Sequence, residues 1–205
     1  MYDGVLFGLT SAAALFVSLI FGLGLAKSGG PHKALWAISF AILSVVAAGV
    51  ALFGLPFLSQ PLVGPVASLI PGFIAAGILW ERNHPAGSYF ARYVTATFMV
   101  LCAATLIASA PVVLFVAFVH LPSGVVVLLL PIYLVITKKK ARSGILVGIG
   151  GLLIGVGGMG LATISVGAPI LPEDLVLALL APIFFAMTLA VGVGFLMTPG
   201  WGRRA

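Results

Sequence analysis

Charge is what this sequence lacks most. Only 7% of its 205 residues are Asp, Glu, Lys or Arg, whereas 62% are hydrophobic and the mean hydropathy is +1.30. A soluble domain carries about 25% charged residues, because its surface must face water. The composition therefore excludes an ordinary soluble domain and predicts a multipass membrane protein whose outer side chains contact lipid.

Cysteine is nearly absent, and the first residues include no basic region. The single Cys102 excludes an intramolecular disulfide. Asp3 precedes an apolar run that is longer than the core of an export signal. We therefore expect no cleavable signal, and a first membrane helix that stays in the mature protein.

Ionisable side chains are missing from the centres of the apolar runs. Proton pumps, ion-coupled carriers and voltage sensors depend on such groups at membrane depth, so we expect none of these functions. The last apolar run contains no lysine for a retinal Schiff base. His32, His84 and His120 are predicted in connections or at the membrane edge, so we expect no haem.

One polar cluster interrupts the apolar sequence, Glu81-Arg82-Asn83-His84. An enzyme needs convergent acids, bases or metal ligands, whereas four consecutive residues of a connection point in different directions. We predict a solvated connection in which Glu81 pairs with Arg82. The protein is therefore expected not to be an enzyme, and to hold neither a cofactor nor a metal.

What the sequence does contain is long apolar runs punctuated by proline and glycine. A helix that crosses about 30 Å of hydrocarbon needs about 20 residues. Residues 34–80 and 93–137 are each about twice that length, so we place a turn in each, at Gly54–Pro61 and at His120–Gly124. The prediction is one all-α domain, a bundle of seven transmembrane helices at approximately residues 4–26, 34–55, 62–80, 93–118, 123–137, 143–167 and 175–198.

The charges predict an orientation for this bundle. All Lys and Arg residues fall on one side of the predicted helices, whereas Asp3, Glu173 and Asp174 fall on the other. Since basic loops stay in the cytoplasm, we predict an outside N-terminus and a cytoplasmic C-terminus in the plasma membrane of a prokaryotic cell. The tryptophans are expected in an aromatic belt at the basic interface: Trp36, Trp80 and Trp201.

A dense basic cluster follows the fifth predicted helix: Lys138, Lys139, Lys140 and Arg142. These residues are typical of a stop-transfer signal, and they also suit anionic lipid head groups. The topology accounts for the net charge of +6. We therefore expect membrane lipids, and not nucleic acid, as partners of these charges.

Prolines recur in the motif Leu-x-Pro-x-aromatic, around Pro71, Pro131 and Pro182. They fall in the third, fifth and seventh predicted helices, which suggests one leading helix followed by three two-helix hairpin repeats. A proline inside a membrane helix removes a backbone hydrogen bond and bends the helix. Such bends either improve packing or form a cavity or hinge, to which we assign Pro71, Pro111, Pro131, Pro182, Ser109, Tyr133 and Thr188.

Glycines form a stripe along the sixth predicted helix. They recur every three or four residues, a spacing that lets another helix approach closely: Gly144, Gly148, Gly151, Gly155 and Gly158. A second set, Gly150, Gly157 and Gly160, lies on another face. Either one face receives another membrane subunit or a second copy of the chain, or both faces pack within the chain.

One stretch resembles a known family. Gly54 to Arg82 reads "GLPFLSQPLVGPVASLIPGFIAAGILWER". It is similar to the region around the third and fourth helices of the biotin-binding membrane subunits of energy-coupling-factor vitamin transporters, where a Gly-Leu-Pro segment, a Gly-Pro turn and a Gly-Phe-containing apolar helix follow in this order. The likeness covers this stretch alone and assigns no binding residue. It implies transport of a small solute.

Two classes of function fit these observations. The extreme apolarity, the short connections and the missing chemistry favour a non-catalytic accessory subunit of a larger respiratory or transport complex. The alternative is a facilitative carrier, channel or substrate-binding subunit for a small neutral or apolar solute. A water-sized lumen at the bent helices would favour the alternative, whereas a packed centre would favour the accessory subunit.

Overall fold

The computed structural model describes residues 2–107, 112–198 and 201, without the side chains of residues 2, 28, 112–116 and 165. The described residues form helices and no strands. A short 3-10 helix, Leu55–Ser59, lies between the second and third of the seven α-helices, which are α1 (Tyr2–Ser28), α2 (Pro31–Phe53), α3 (Val63–Arg82), α4 (His84–Ile107), α5 (Val112–Ile136), α6 (Gly144–Ser165) and α7 (Glu173–Met197). All seven are long and apolar enough to cross a membrane, which confirms the predicted all-α multipass bundle.

The connections between helices are short, so successive helices run in opposite directions. Between α1 and α2 only Gly29 and Gly30 intervene, with φ angles of 64° and 117° that favour glycine, and Pro31 then opens α2. Cross-helix hydrogen bonds show the antiparallel pairing. The Ser44 hydroxyl on α2 donates to the Ser11 carbonyl on α1 at 2.9 Å, and the Ser18 hydroxyl donates to the Ala37 carbonyl at 2.8 Å.

The two ends of the bundle carry opposite charges. We call one the acidic end; it contains residues 2–4, 53–63 and 165–174 and carries Asp3, Glu173 and Asp174. The other is the basic end, which contains residues 27–33, 82–92, 136–144, 197–198 and 201. The described Lys and Arg residues all lie there: Lys27, Lys33, Arg82, Arg92, Lys138, Lys139, Lys140 and Arg142. Which end faces the cytoplasm stays a prediction.

Six of the helices form a closed ring, in the order α1, α2, α3, α5, α6 and α7, with α7 packing back on α1. Helix α4 lies outside this ring and packs mainly on α3. Its span is only 11% buried, whereas the spans of the other helices are between 28% and 61% buried. The ring therefore encloses the interior of the molecule, and α4 is an outer helix.

The predicted turn at His120–Gly124 is wrong. Helix α5 begins at Val112 and continues through this segment, so His120 and Pro122 lie within it. Proline lacks the N–H that would bond to the carbonyl four residues earlier, that of Phe118. The Tyr93 hydroxyl on α4 donates a hydrogen bond to this Phe118 carbonyl. The freed acceptor is thereby satisfied, so the helix tolerates the proline.

The predicted connection at residues 81–84 is also wrong. Helix α3 ends at Arg82 and α4 begins at His84, so Asn83 alone separates them. Pro85 lies in the first turn of α4, where a missing backbone N–H costs no hydrogen bond. A Cβ on Gly87 would lie 2.2 Å from Trp80 Cα, so only glycine allows this close approach of the two helices.

Both glycine faces of α6 pack within the chain. A Cβ on Gly151 would lie 2.7 Å from Leu128 N on α5, and one on Gly148 would lie 2.6 Å from Ile132 Cγ1. On the second face, a Cβ on Gly150 would lie 2.2 Å from Val191 Cγ2 on α7. Gly144 and Gly158 also face neighbours within the chain, whereas a Cβ on Gly155 would meet nothing within 4 Å.

Of the three motif prolines, Pro131 lies at a different position along its helix from the other two. Pro71 and Pro182 lie eight and nine residues after the starts of their helices, whereas Pro131 lies nineteen residues after Val112. The difference arises because α5 begins earlier in the chain than the sequence suggested. The hairpin repeat stays a prediction.

Candidate functional site

A cavity of about 730 Å³ lies inside the helix ring towards the acidic end. Its walls come from α2, α3, α6 and α7, with single contributions from α4 and α5. Ligand pockets in proteins occupy roughly 300–1,000 Å³. The cavity is thus large enough for a small organic molecule.

The walls of the cavity are mostly apolar and reach deep into the bundle. Leu43 on α2, Ile70 on α3 and Met187 on α7 line its inner part. Met187 lies fourteen residues after Glu173, which corresponds to about 21 Å along the helix axis. The cavity therefore extends past the middle of a helix that is itself 25 residues long.

Small residues leave room for this cavity. Gly64 and Ala67 on α3 line it, as do Gly157 and Ala162 on α6. A Cβ on Gly64 would meet nothing within 4 Å. Large side chains at these positions would occupy the space, so the choice of small residues determines the volume.

The mouth of the cavity is formed by the segment that follows α2. Ser59 and Gln60 are exposed and line the mouth, as does Glu173 in the first turn of α7. This segment is anchored to α2 by Phe57, which lies where Gly49 has no side chain; a Cβ there would be 2.3 Å from Phe57 Cε1. The polar lining of the cavity is thus concentrated at its open end.

His120 lines the cavity from α5, within a membrane-spanning segment. It is half-buried, and its Cδ2 lies 3.4 Å from the position that a Cβ on Gly158 would occupy. His120 was expected in a turn, whereas the structure places it within α5, at the fourth position of the candidate span Ala117–Ile136. Its expected place near the membrane edge stays a prediction.

Two side chains of α2 bond to the backbone of α3 beside Pro71. The Ser39 hydroxyl donates to the Ile70 carbonyl at 2.8 Å, and Trp36 Nε1 donates to the Ile74 carbonyl at 3.2 Å. Both side chains are fully buried. These bonds hold α3 against α2 on both sides of the proline, so the inner wall of the cavity is fixed in place.

Aromatic rings fill the ring interior towards the basic end. Trp36 stacks on Phe195 with 4.2 Å between ring centroids, and Trp201 packs edge-on against Phe195 at 5.4 Å. Phe21 contacts both Trp36 and Phe195. Trp36 and Trp201 are completely buried, so the prediction that they form a belt facing the membrane interface is wrong. We call Phe21, Trp36, Phe195 and Trp201 the aromatic plug.

An ion pair covers the aromatic plug. Glu81 Oε1 accepts from Lys140 Nζ at 2.8 Å, and Glu81 Oε2 accepts from Trp201 Nε1 at 3.1 Å. The Lys140 ammonium also lies 5.5 Å from the Trp201 ring centroid. Glu81 therefore pairs with Lys140, and not with Arg82 as predicted. The contact joins α3, the α5–α6 connection and the segment after α7.

The structure separates the residues assigned to a cavity or hinge. Pro71 lines the cavity. Thr188 is buried and donates to the Phe184 carbonyl of its own helix at 2.7 Å. Pro131 is buried elsewhere, whereas Pro182 and Tyr133 are exposed on the outer surface. Ser109 and Pro111 lie outside the described residues.

The residues of the basic cluster differ in their exposure. Lys138, Lys139 and Arg142 are exposed, and the Lys139 ammonium lies 5.8 Å from the Tyr133 ring centroid. Lys140 is only 14% exposed because it pairs with Glu81. The exposed members stay the predicted site for lipid head groups.

The sequence analysis placed Pro71 at a cavity or hinge, but it missed the other lining residues and the aromatic plug. Six helices contribute residues to the lining of the cavity, whereas the aromatic plug comes from α1, α2, α7 and the segment after α7, and no local pattern links those residues. Among residues 2–107, 112–198 and 201, no group of three or more His, Cys, Asp or Glu side chains is placed to hold a metal ion. No protein family, curated protein or solved structure matches this chain.

Proposed function

We propose that this protein binds a small, largely apolar molecule in the cavity and acts in the membrane as a carrier or as a solute-binding subunit. The observation that carries the proposal is the cavity itself, a space of about 730 Å³ with apolar walls and a polar mouth. An apolar solute gains contacts with Leu43, Ile70 and Met187 that an empty cavity lacks. The polar groups at the mouth suit the part of a solute that faces water.

The asymmetry of the bundle supports a binding role. The cavity is open towards the acidic end, whereas the aromatic plug and the Glu81–Lys140 pair occupy the interior towards the basic end. A carrier or binding subunit with one accessible side has this arrangement, whereas a continuous pore does not. Passage through the bundle would require the plug to open.

The test is photolabelling in lipid nanodiscs with decyl diazirine, an uncharged alkyl probe. Leu153 lines the cavity, whereas its neighbour Leu152 is 51% exposed on the outer surface. We expect the probe to label both residues in the native protein. Unlabelled solutes of about the size of decane should reduce the labelling of Leu153 but not that of Leu152. Labelling at Leu152 reports the concentration of probe in the surrounding lipid.

A matched pair of glycine variants makes this test specific. Gly64→Phe places a ring in the cavity, and we expect it to weaken probe binding at Leu153 at least about tenfold, or about 1.4 kcal/mol. Gly155→Phe is the control, because Gly155 also has free space beyond its Cα but does not line the cavity. Equal labelling of Leu153 in both variants, or none in the native protein, would overturn the proposal.

A second candidate function, the accessory subunit of a larger membrane complex, is supported by α4. This helix lies outside the ring and its span is 11% buried, the lowest value among the seven spans. Helices in lipid associate by close packing, and α4 offers an outer face on which another subunit can pack. Gentle extraction should then yield a foreign membrane subunit at one copy per chain, crosslinked through the exposed Met99. A clean monomer or homo-oligomer would exclude this role.

A further inference from the structure

Among the residues that the structure describes, the mouth of the cavity carries one full charge, and it is negative. Glu173 is the only Asp or Glu among these lining residues, and none of them is Lys or Arg. The salt bridge in the described part of the chain joins Glu81 to Lys140 at the other end, so Glu173 has no ion-pair partner there. We infer that the cavity selects molecules with a cationic head group and an apolar body; this inference rests on the proposed function.

The surroundings of the mouth strengthen this preference. Asp3 and Asp174 lie at the same acidic end, whereas the described Lys and Arg residues lie at the basic end. A cation at the mouth is therefore attracted by the nearby carboxylates, and the basic groups lie near the far ends of the helices. An anion at the same place meets the opposite field and is repelled.

Helix ends do not change the sign of the charge at the mouth. The first turns of α3 and α7 line the cavity and each contributes a partial positive charge of roughly half a unit, whereas the last turn of α6 contributes a partial negative charge of about the same size. Their sum is smaller than the full negative charge of one carboxylate. The carboxylate of Glu173 remains as the dominant fixed charge, with His120 as the other ionisable group in the lining.

The shape of the cavity suits an amphiphile better than a small inorganic cation. Apolar side chains continue from the mouth to Met187, about 21 Å along α7 from Glu173. An inorganic cation would lose its hydration without oxygen ligands along these walls. A cationic amphiphile keeps its head group in water beside Glu173 and buries its alkyl chain.

The experiment compares three photoreactive decyl probes that differ only in the head group: trimethylammonium, hydroxyl and sulfonate. Each is titrated against the full-length protein in nanodiscs at about pH 8, where histidine side chains are in general uncharged. The readout is the concentration for half-maximal labelling of Leu153, corrected by labelling of Leu152. We expect the cation to require about tenfold less probe than the alcohol, and the sulfonate to require more.

Two neighbouring acids provide the variant and its control. Glu173→Gln should remove most of the difference between the half-maximal concentrations of the cation and the alcohol, because only the more distant carboxylates of Asp3 and Asp174 then remain at this end. Asp174→Asn removes the same charge from the same helix turn, but Asp174 does not line the cavity, so most of the preference should remain. This control also accounts for any effect of charge on the start of α7.

The outcomes separate the inference from the proposed function. Equal binding of the cation and the alcohol in the native protein would overturn the cationic selectivity and leave the apolar binding site in place. A cation preference that keeps nearly its full size in Glu173→Gln would overturn the role of Glu173. Failure of all three probes to label Leu153 would overturn the proposed function together with the inference.

Discussion

The two ends of the helix ring are packed in opposite ways. Towards the basic end, the interior is filled by the aromatic plug and covered by the Glu81–Lys140 pair. Towards the acidic end, small residues such as Gly64 and Ala67 leave a cavity of about 730 Å³. Helices α2 and α7 contribute residues to both regions. Large aromatic side chains occupy the interior at the basic end, whereas small ones leave space at the acidic end, so the size of the inward side chains contributes to the difference.

This comparison shows where the stability of the ring originates. Helices in lipid are not held together by burial from water, so close packing and hydrogen bonds must join them. The aromatic plug provides both, because Trp36 stacks on Phe195 and also donates a hydrogen bond to α3. The lining of the cavity lacks partner atoms on one side and contributes fewer such contacts. The packed basic end thus contributes more to the stability of the helix ring than the acidic end, where the cavity lies.

The largest predicted difference between the two ends comes from adding one methyl group to α3. In Gly77→Ala the new Cβ would lie 2.2 Å from Trp36 Nε1, inside the plug. The Trp36 ring is buried and hydrogen-bonded and has little room to move, so we expect a loss of about 2 kcal/mol in the free energy of unfolding. The measurement is reversible unfolding in mixed micelles.

The matched variant at the acidic end is Gly64→Ala on the same helix. Its Cβ meets nothing within 4 Å, and alanine favours a helix over glycine, so we expect no loss of stability and a gain of up to about 1 kcal/mol. Similar losses for both variants would show that the two ends are equally tightly packed. That result would contradict the comparison.

A smaller difference is predicted for the two glutamates at opposite ends. Glu81→Gln leaves Lys140 partly buried without its carboxylate, while the new amide oxygen can still accept from Trp201. We expect a loss of about 1 kcal/mol in the free energy of unfolding. Glu173 is exposed and has no ion pair among the described residues, so Glu173→Gln should leave stability nearly unchanged.

The same unfolding measurement on the two variants sharpens the assignment of roles. If Glu81 closes the basic end, only Glu81→Gln should lose stability. If Glu173 acts at the cavity mouth, only Glu173→Gln should change the head-group preference in photolabelling. A stability loss of equal size in Glu173→Gln would mean that this acid is structural. The Lys140→Met variant should reproduce the direction of the Glu81→Gln effect.

Composition and periodic apolar runs were sufficient to predict the general architecture. The number of helices, their apolar character and the charge difference between the two ends follow from properties that each segment has by itself. Segment length decides whether a helix can cross hydrocarbon, and no neighbour is needed for that decision. The α5 boundary was mispredicted for the opposite reason, because it does involve a neighbouring helix. Pro122 is tolerated only because the Tyr93 hydroxyl on another helix satisfies the Phe118 carbonyl.

Only the tertiary structure decided which residues face the interior and where the interior stays open. Trp36 has the local features of an interfacial tryptophan, yet it is buried because Gly77 on α3 leaves room for its ring. Pro71, Pro131 and Pro182 share a sequence motif, yet only Pro71 lines the cavity. Such differences depend on the side chains that neighbouring helices present at the same level. The sequence determined by itself that seven apolar helices form, and the packing among them determined a closed basic end and an open acidic one.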